Sequence, residues 1–404
     1  MAGRPPAPAS SLCYAGGGKG LSAVDARVYL DNAATTPAVP EVAAAVSDAL
    51  LRRFGNPSSP HRWGIEASRV AAEARDVLAG LLGVAAEEIL FTSGGTESNN
   101  LAIGGVVAAR RRAGRRIVTT AIEHSSVLAA AAAFADEVVR LPVDTAGRVA
   151  PADVAAAAAV AGTVLVAIGH VNNEVGTVQP LAEIGAALAR LPERPVFHVD
   201  AVQALGKVPL RPREWGVDTC ALSGHKIHGP KGVGALWVRR GVRLVPLLFG
   251  GDQQGGLRPG TENVPAIAGF GAAAALCAAD PEAAARMCAL RERLWEGVAD
   301  GAVRNGPPPA AAAPHILSVR VPRLPAEVLL HALEERGVAC SAGSACHSRR
   351  PEPSHVLLAL GLPEAAVRSS LRLSLSRLTT AAEIDAAAAA FREAVASLRA
   401  LVHR

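Results

Sequence analysis

From residue 28 onward the chain alternates short β-branched runs with long Ala/Leu-rich runs of helical character, and few architectures accept that pattern. Continuous apolar strands are buried on both faces, so their alternation with helices reads as a mostly parallel sheet covered by helices. The predicted strands are ILFTS (89–93), IVTTA (117–121), EVVRLPV (137–143), TVLVAI (163–168), PVFHVD (195–200), TCALSG (219–224) and GALWVRR (234–240). Helices are predicted at 64–82, 150–160 and 181–190. After residue 280 the pattern shifts to a helix near 281–298, a Pro/Ala-rich linker at 306–314, the strand HILSVRV (315–321), then mixed helices and short strands. The expectation is a large α/β domain over 28–280 and a small α+β domain over 281–404.

Composition narrows the function classes. Charges, glycines and prolines interrupt every alanine-rich stretch before the ~20 apolar residues a membrane helix needs. Aromatic residues make up 3% and the net charge of +5 is spread along the chain, so a nucleic-acid surface is not expected. The one dense basic run, Arg110 to Arg116, reads as the solvated end of a helix. Six cysteines without a CxxC pair favour a reducing compartment, and a cytosolic location is expected. Residues 1–27, rich in Pro, Gly, Ala and Ser, lack the apolar core of a secretory signal and read as a disordered tail. No metal-ligand cluster is expected.

Lysine is the informative residue type. Of 41 Lys+Arg only Lys19, Lys207, Lys226 and Lys231 are lysine, and only a lysine can lose its proton to act as an amine nucleophile. Ligands of open α/β sheets sit at the carboxyl ends of the strands, so chemistry is sought there. ILFTS runs into GGTESNN, where Thr96 and backbone N–H groups at a helix start suit a phosphate, although such a turn is more often only a cap. TVLVAIGHV ends in Asn172, Asn173, Glu174 and Gly176, and PVFHVD ends in Asp200 with Gln203 three residues on. TCALSG ends in His225 and Lys226, the layout of a Schiff-base lysine for pyridoxal phosphate, with Asp200 placed to pair with the pyridinium nitrogen. Lys231 reads as a turn residue, and Lys19 and Lys207 have no polar company.

Together YLDNAATTP, GNPSSPH, FTSGGTESNNLAI, HVNNEVGTVQP, HVDAVQALGK, SGHKIHGPKGVGALWVRR and RPGTENVP are similar to the signature segments of the NifS-like, class V aminotransferase family of cysteine desulfurases and selenocysteine lyases. The resemblance covers roughly residues 28–400. It implies the type I fold of pyridoxal-phosphate enzymes, with a mostly parallel seven-stranded sheet, and a first segment that packs with the small domain. It also implies roles. Lys226 carries the cofactor and shuttles the substrate's α-proton. Asp200 pairs with the ring nitrogen, Gln203 reaches the ring's phenolic oxygen, and His124 stacks on the ring and helps with proton transfer. Gly95, Thr96, Ser223 and His225 hold the phosphate, and Thr261 reaches the phosphate of a neighbouring subunit in a homodimer. Asn173 and Arg372 bind the substrate carboxylate, a task suited to the arginine fork.

The matching family cysteine is Cys346, in CSAGSACHSRRPEPSHVLLALGL (340–362), before a helix whose start is marked by Pro353 and Ser354. A lone cysteine is ordinarily structural, but a polar Ser/Gly/Ala-rich stretch is a poor place to bury one. Cys340 reads as the end of an apolar strand and is expected to be structural. The stretch ACHS (345–348) and LLFGGDQQGGLRPGTENVPAIAGFG (247–271) resemble selenocysteine lyases, so the expected reaction is L-selenocysteine to L-alanine with release of selenium. GSAC with EPSHVL is closer to desulfurases, which gives the alternative: a cysteine desulfurase that forms a persulfide on Cys346 and hands sulfur to an acceptor protein. A catalytically inactive binding protein on the same fold ranks third.

Overall fold

The computed structural model describes residues 28–342 and 353–402. The tail expected at 1–27 and the cysteine Cys346 lie outside the described residues. All seven predicted strands form, and they join one sheet. Its spatial order is Ile89–Thr92, Gly234–Val238, Thr219–Ser223, Val196–Asp200, Thr163–Gly169, Arg116–Thr120, Glu137–Leu141. Only Gly234–Val238 runs antiparallel to its two neighbours. The strands Thr163–Gly169, Val196–Asp200 and Thr219–Ser223 are buried almost throughout, as β-branched runs covered on both faces must be.

Helices Arg62–Leu82, Gly95–Ala109, Ser125–Phe134 and Leu181–Leu188 cover the sheet. The main apolar core gathers Val118, Val166, Ile168, Phe197, Val199 and Trp237 against helix residues such as Leu78, Leu82 and Ile184. The basic run divides at its end: Arg116 opens a strand, donates through Nη1 to Ala157 O at 2.6 Å and Thr163 Oγ1 at 2.7 Å, and pairs through Nε with Glu137 at 3.0 Å. Among the described residues no single helix is long and apolar enough to cross a membrane.

A second apolar cluster joins Val28 and Leu30 to Leu294, Leu317, Leu333, Leu371, Leu373 and Phe391. Its antiparallel sheet runs Ser341–Ala342, Ser370–Ser374, Ile316–Arg320, Val303–Arg304. Val28–Tyr29 pairs in parallel with Val338–Ala339, and Ser374 N donates to Leu30 O at 2.7 Å. From there residues 31–37 cross to the large sheet, where Thr36 Oγ1 donates to His225 O.

The Pro/Ala-rich stretch read as a linker is pinned. Arg291, 1% exposed, donates to Pro309 O, Ala312 O and Ala313 O. The prolines supply no N–H, so the guanidinium adds donors for the carbonyls of this stretch.

Candidate active site

Five strand ends carrying polar residues point the same way, because Ile89–Thr92 runs parallel in sense to Thr219–Ser223 across the intervening strand. Chain order reverses at Arg116–Thr120, which lies between Glu137–Leu141 and Thr163–Gly169, and ligands of such sheets bind at that reversal. A cavity of about 300 Å³ opens there. Gly95, Thr96, His124, Asn173, Asp200, Gln203, Ser223, His225, Lys226 and Arg372 all line it. Thr261 does not line it and is exposed elsewhere on the surface.

At one end of the cavity the 15-residue helix Gly95–Ala109 begins. A Cβ on Gly95 would meet Val202 Cγ2 at 2.5 Å, so only glycine lets the backbone sit there with its first-turn N–H groups bare. Those groups and the positive end of the helix suit a phosphate. Ser223 and His225 stand beside it. Burial and the charges of Lys226 and Lys231 push His225 down to about 4, so at neutral pH it is an uncharged imidazole, with Nδ1 against Thr35 Oγ1 at 3.2 Å.

Lys226 follows a 3₁₀ turn, Gly224–Lys226, and its Nζ donates to Ala33 O at 2.6 Å and Ala34 O at 2.7 Å. Asp200 accepts from Val202 N through Oδ1 at 3.0 Å and from Asn99 Nδ2 through Oδ2 at 2.8 Å. It therefore both caps the turn after its strand and presents a carboxylate to the cavity. Gln203 lines the cavity with both ends of its amide engaged, by Ala33 O at 2.8 Å and His315 Nε2 at 3.2 Å. Lys231 is exposed in its turn, as its sequence context suggests.

Arg372, 3% exposed at the side chain, donates to Asn173 O at 3.0 Å and to Asp31 Oδ1 at 2.7 Å. Its Nε is buried with no hydrogen-bond partner. A guanidinium has five N–H groups, so one edge of the fork remains for a carboxylate.

Several residues escaped the sequence reading. Glu123, buried between His124 and the sheet, lines the cavity and accepts from Thr120 Oγ1 at 2.6 Å and Gly169 N at 2.7 Å. Burial outweighs those bonds and lifts its carboxyl to about 8. The signal was the acidic residue in IEHSSV directly before His124. Lys207 is buried with no hydrogen-bond partner on Nζ, and burial together with Lys226 brings it down to about 7. Cys340 follows Val338–Ala339, packs on the second cluster, and burial holds its thiol up at about 12, which suits a structural role.

Glu123 makes a signed prediction. Between the ordinary carboxyl range and about pH 8 the folded protein holds a proton that the unfolded chain does not, so stability falls as pH rises through that window. The slope is at most roughly 1.4 kcal/mol per pH unit. Glu123→Gln, neutral at every pH, should gain on the wild type in urea unfolding as pH climbs from 5 to 8. Lys207 works with opposite sign above its lowered value, and it cancels in the difference between the two proteins. Parallel curves for the two would show that Glu123 is ionised when folded.

The model of the family "aminotransferase class-V" matches residues 28–387. The chain belongs to the class-V aminotransferase family. Among class-V relatives it is 42% identical over 388 residues to "cysteine desulfurase IscS" of Methanosarcina thermophila, covering 95% of each chain. A "cysteine desulfurase" of Cereibacter sphaeroides is 43% identical over 385 residues, covering 93% of this chain and 97% of the other. A solved "NifS-like protein" superposes with a TM-score of 0.85 at 35% identity, covering 92% of this chain and all of that one. A structure titled "SspA in complex with cysteine" gives 0.76 at 33%, covering 87% and 99%. Class-V enzymes of this kind depend on pyridoxal phosphate, and the cavity fits it: bare amides for a phosphate, a carboxylate for the ring nitrogen and one amine between them.

Proposed function

We propose that the chain is a cysteine desulfurase, which takes sulfur from L-cysteine and leaves L-alanine. The observation that carries the reading is one cavity holding the Lys226 amine and the unfilled edge of the Arg372 guanidinium. The relatives support cysteine as substrate over the selenocysteine reading of the sequence, since the two sequence relatives above carry the name cysteine desulfurase.

Bound pyridoxal phosphate supplies an electron sink that stabilises negative charge on the substrate's α-carbon. Gly95, Thr96, Ser223 and His225 hold its phosphate. Asp200, fixed by Val202 N and Asn99, keeps the ring nitrogen protonated. Gln203 meets the phenolic oxygen by exchanging its bond to Ala33 O. His124 covers the ring face. Arg372 and Asn173 fix the α-carboxylate, and Nζ of Lys226 takes and returns the α-proton. The thiolate of Cys346, outside the described residues, attacks the substrate sulfur; the C–S bond breaks and its electron pair, with a proton, completes alanine. We also propose a cytosolic homodimer in which Thr261 serves the neighbouring site, and a protein acceptor for the sulfur.

The test is an anaerobic assay with L-cysteine and L-selenocysteine side by side, following alanine and released sulfide or selenide. Cysteine turnover with a persulfide that disappears in Cys346→Ala is expected. Turnover of selenocysteine alone, with cysteine only inhibiting, would make the protein a selenocysteine lyase.

A further inference from the structure

A buried hydrogen-bond chain behind the cavity fixes where its protons sit. Asp200 Oδ2 is 2.8 Å from the amide nitrogen of Asn99, and a carboxylate only accepts, so Asn99 Nδ2 faces Asp200 and Oδ1 faces the other way. There Oδ1 meets His198 Nε2 at 3.0 Å, which places the His198 proton on Nε2 and leaves Nδ1 to accept from Thr219 Oγ1 at 2.9 Å. Burial pushes His198 down to about 4, consistent with this single-proton form.

The second N–H of Asn99 goes to Ser126 Oγ at 2.8 Å. With its lone pair so engaged, Ser126 turns its own proton toward His124 Nδ1, also at 2.8 Å. The same Nδ1 accepts from Ser126 N at 3.1 Å, because His124 is the N-cap of helix Ser125–Phe134. Two donors aim at one nitrogen, so Nδ1 is an acceptor and the ring proton is on Nε2.

We propose that Asn99 is a positioning residue that joins Asp200 to His124 and, through the Ser126 hydroxyl, holds His124 as its Nε2–H tautomer. His124 then offers the cavity a hydrogen bond rather than a base, and proton exchange is left to Lys226. The inference concerns how the proposed site is set up, and it rests on the assignment of His124 to that site.

The test is ¹⁵N NMR of the pyridoxal-phosphate-loaded protein labelled at histidine, without substrate, with the His124 signals identified by their loss in His124→Gln. The expected wild-type spectrum has the His124 proton on Nε2 and a hydrogen-bonded, unprotonated Nδ1. Ser126→Ala and Asn99→Ala should each shift the Nδ1 signal, Ser126→Thr should preserve it, and kcat should fall about tenfold in the first two, the weight of one hydrogen bond. Visible absorption of the bound cofactor should move in Asn99→Ala but not in Ser126→Ala, since only Asn99 touches Asp200. A proton on Nδ1 in the wild type, or ring signals unchanged in Ser126→Ala, overturns the proposal; the first needs no variant to fold. Because no substrate is present, either result stands whether or not cysteine proves to be the substrate.

Discussion

Lys226→Ala is expected to lower turnover roughly 10⁴-fold, the upper range for loss of a positioned proton-transfer group. Among the described residues no other lysine lines the cavity. Lys207 is buried nearby but is not among the residues that line the cavity, so it cannot substitute. Lys226→Arg should rescue nothing, because a guanidinium keeps its proton at neutral pH. The alanine variant also removes the side-chain donor of Ala34 O and leaves Ala33 O with Gln203 Nε2 alone, at a cost of about 1–3 kcal/mol in stability. A variant that stays folded by circular dichroism, binds pyridoxal phosphate and has lost the visible band of the bound form would match this account. Turnover within tenfold of wild type would place the reaction elsewhere in the protein.

Arg372 gives the second large effect, and here KM carries it. Arg372→Ala removes the charge proposed to meet the substrate carboxylate, so KM for L-cysteine should rise about 100-fold or more, in line with the 2–5 kcal/mol cost of truncating one member of a buried charge pair. Stability should fall by roughly 2–3 kcal/mol, less than the 3–5 of a fully buried pair, because Asp31 keeps 22% of its side chain exposed. Arg372→Lys restores the charge but not the fork. It should recover part of the stability and little of the KM, since an ammonium cannot span Asp31, Asn173 O and a substrate carboxylate in one plane. A KM unchanged in Arg372→Ala would mean that the Arg372 guanidinium is not where the carboxylate binds.

The sheet was readable in advance because most strands are short, largely apolar and β-branched runs, and those at its centre end where a polar residue marks the edge of the core. The same contrast exposed Asp200, Asn173, His225 and Lys226, whose chemistry breaks the apolar pattern around them. What the pattern hid has a common cause. Ala33 and Ala34 act through backbone carbonyls, which carry no signature in a side-chain alphabet. Glu123 differs from a surface glutamate through its burial and through its bond to Gly169, 46 residues further along. Lys207 sits in a turn, and its burial beside Cys277 and Lys226 comes from residues distant in sequence. The stretch at 306–314 reads as slack because its anchor, Arg291, belongs to a preceding helix.

The crossing segment at residues 31–37 also dictates when the site can exist. Its carbonyls hold the Lys226 amine, yet Asn32 and Ala33 are held in turn by Ser374, more than 300 residues further along. Contacts of such sequence separation form late and slowly. A nascent chain emerging from the ribosome can therefore assemble the central sheet long before it can seat its reactive amine. Until Ser374 has been added, the growing chain cannot hold Lys226 in this way.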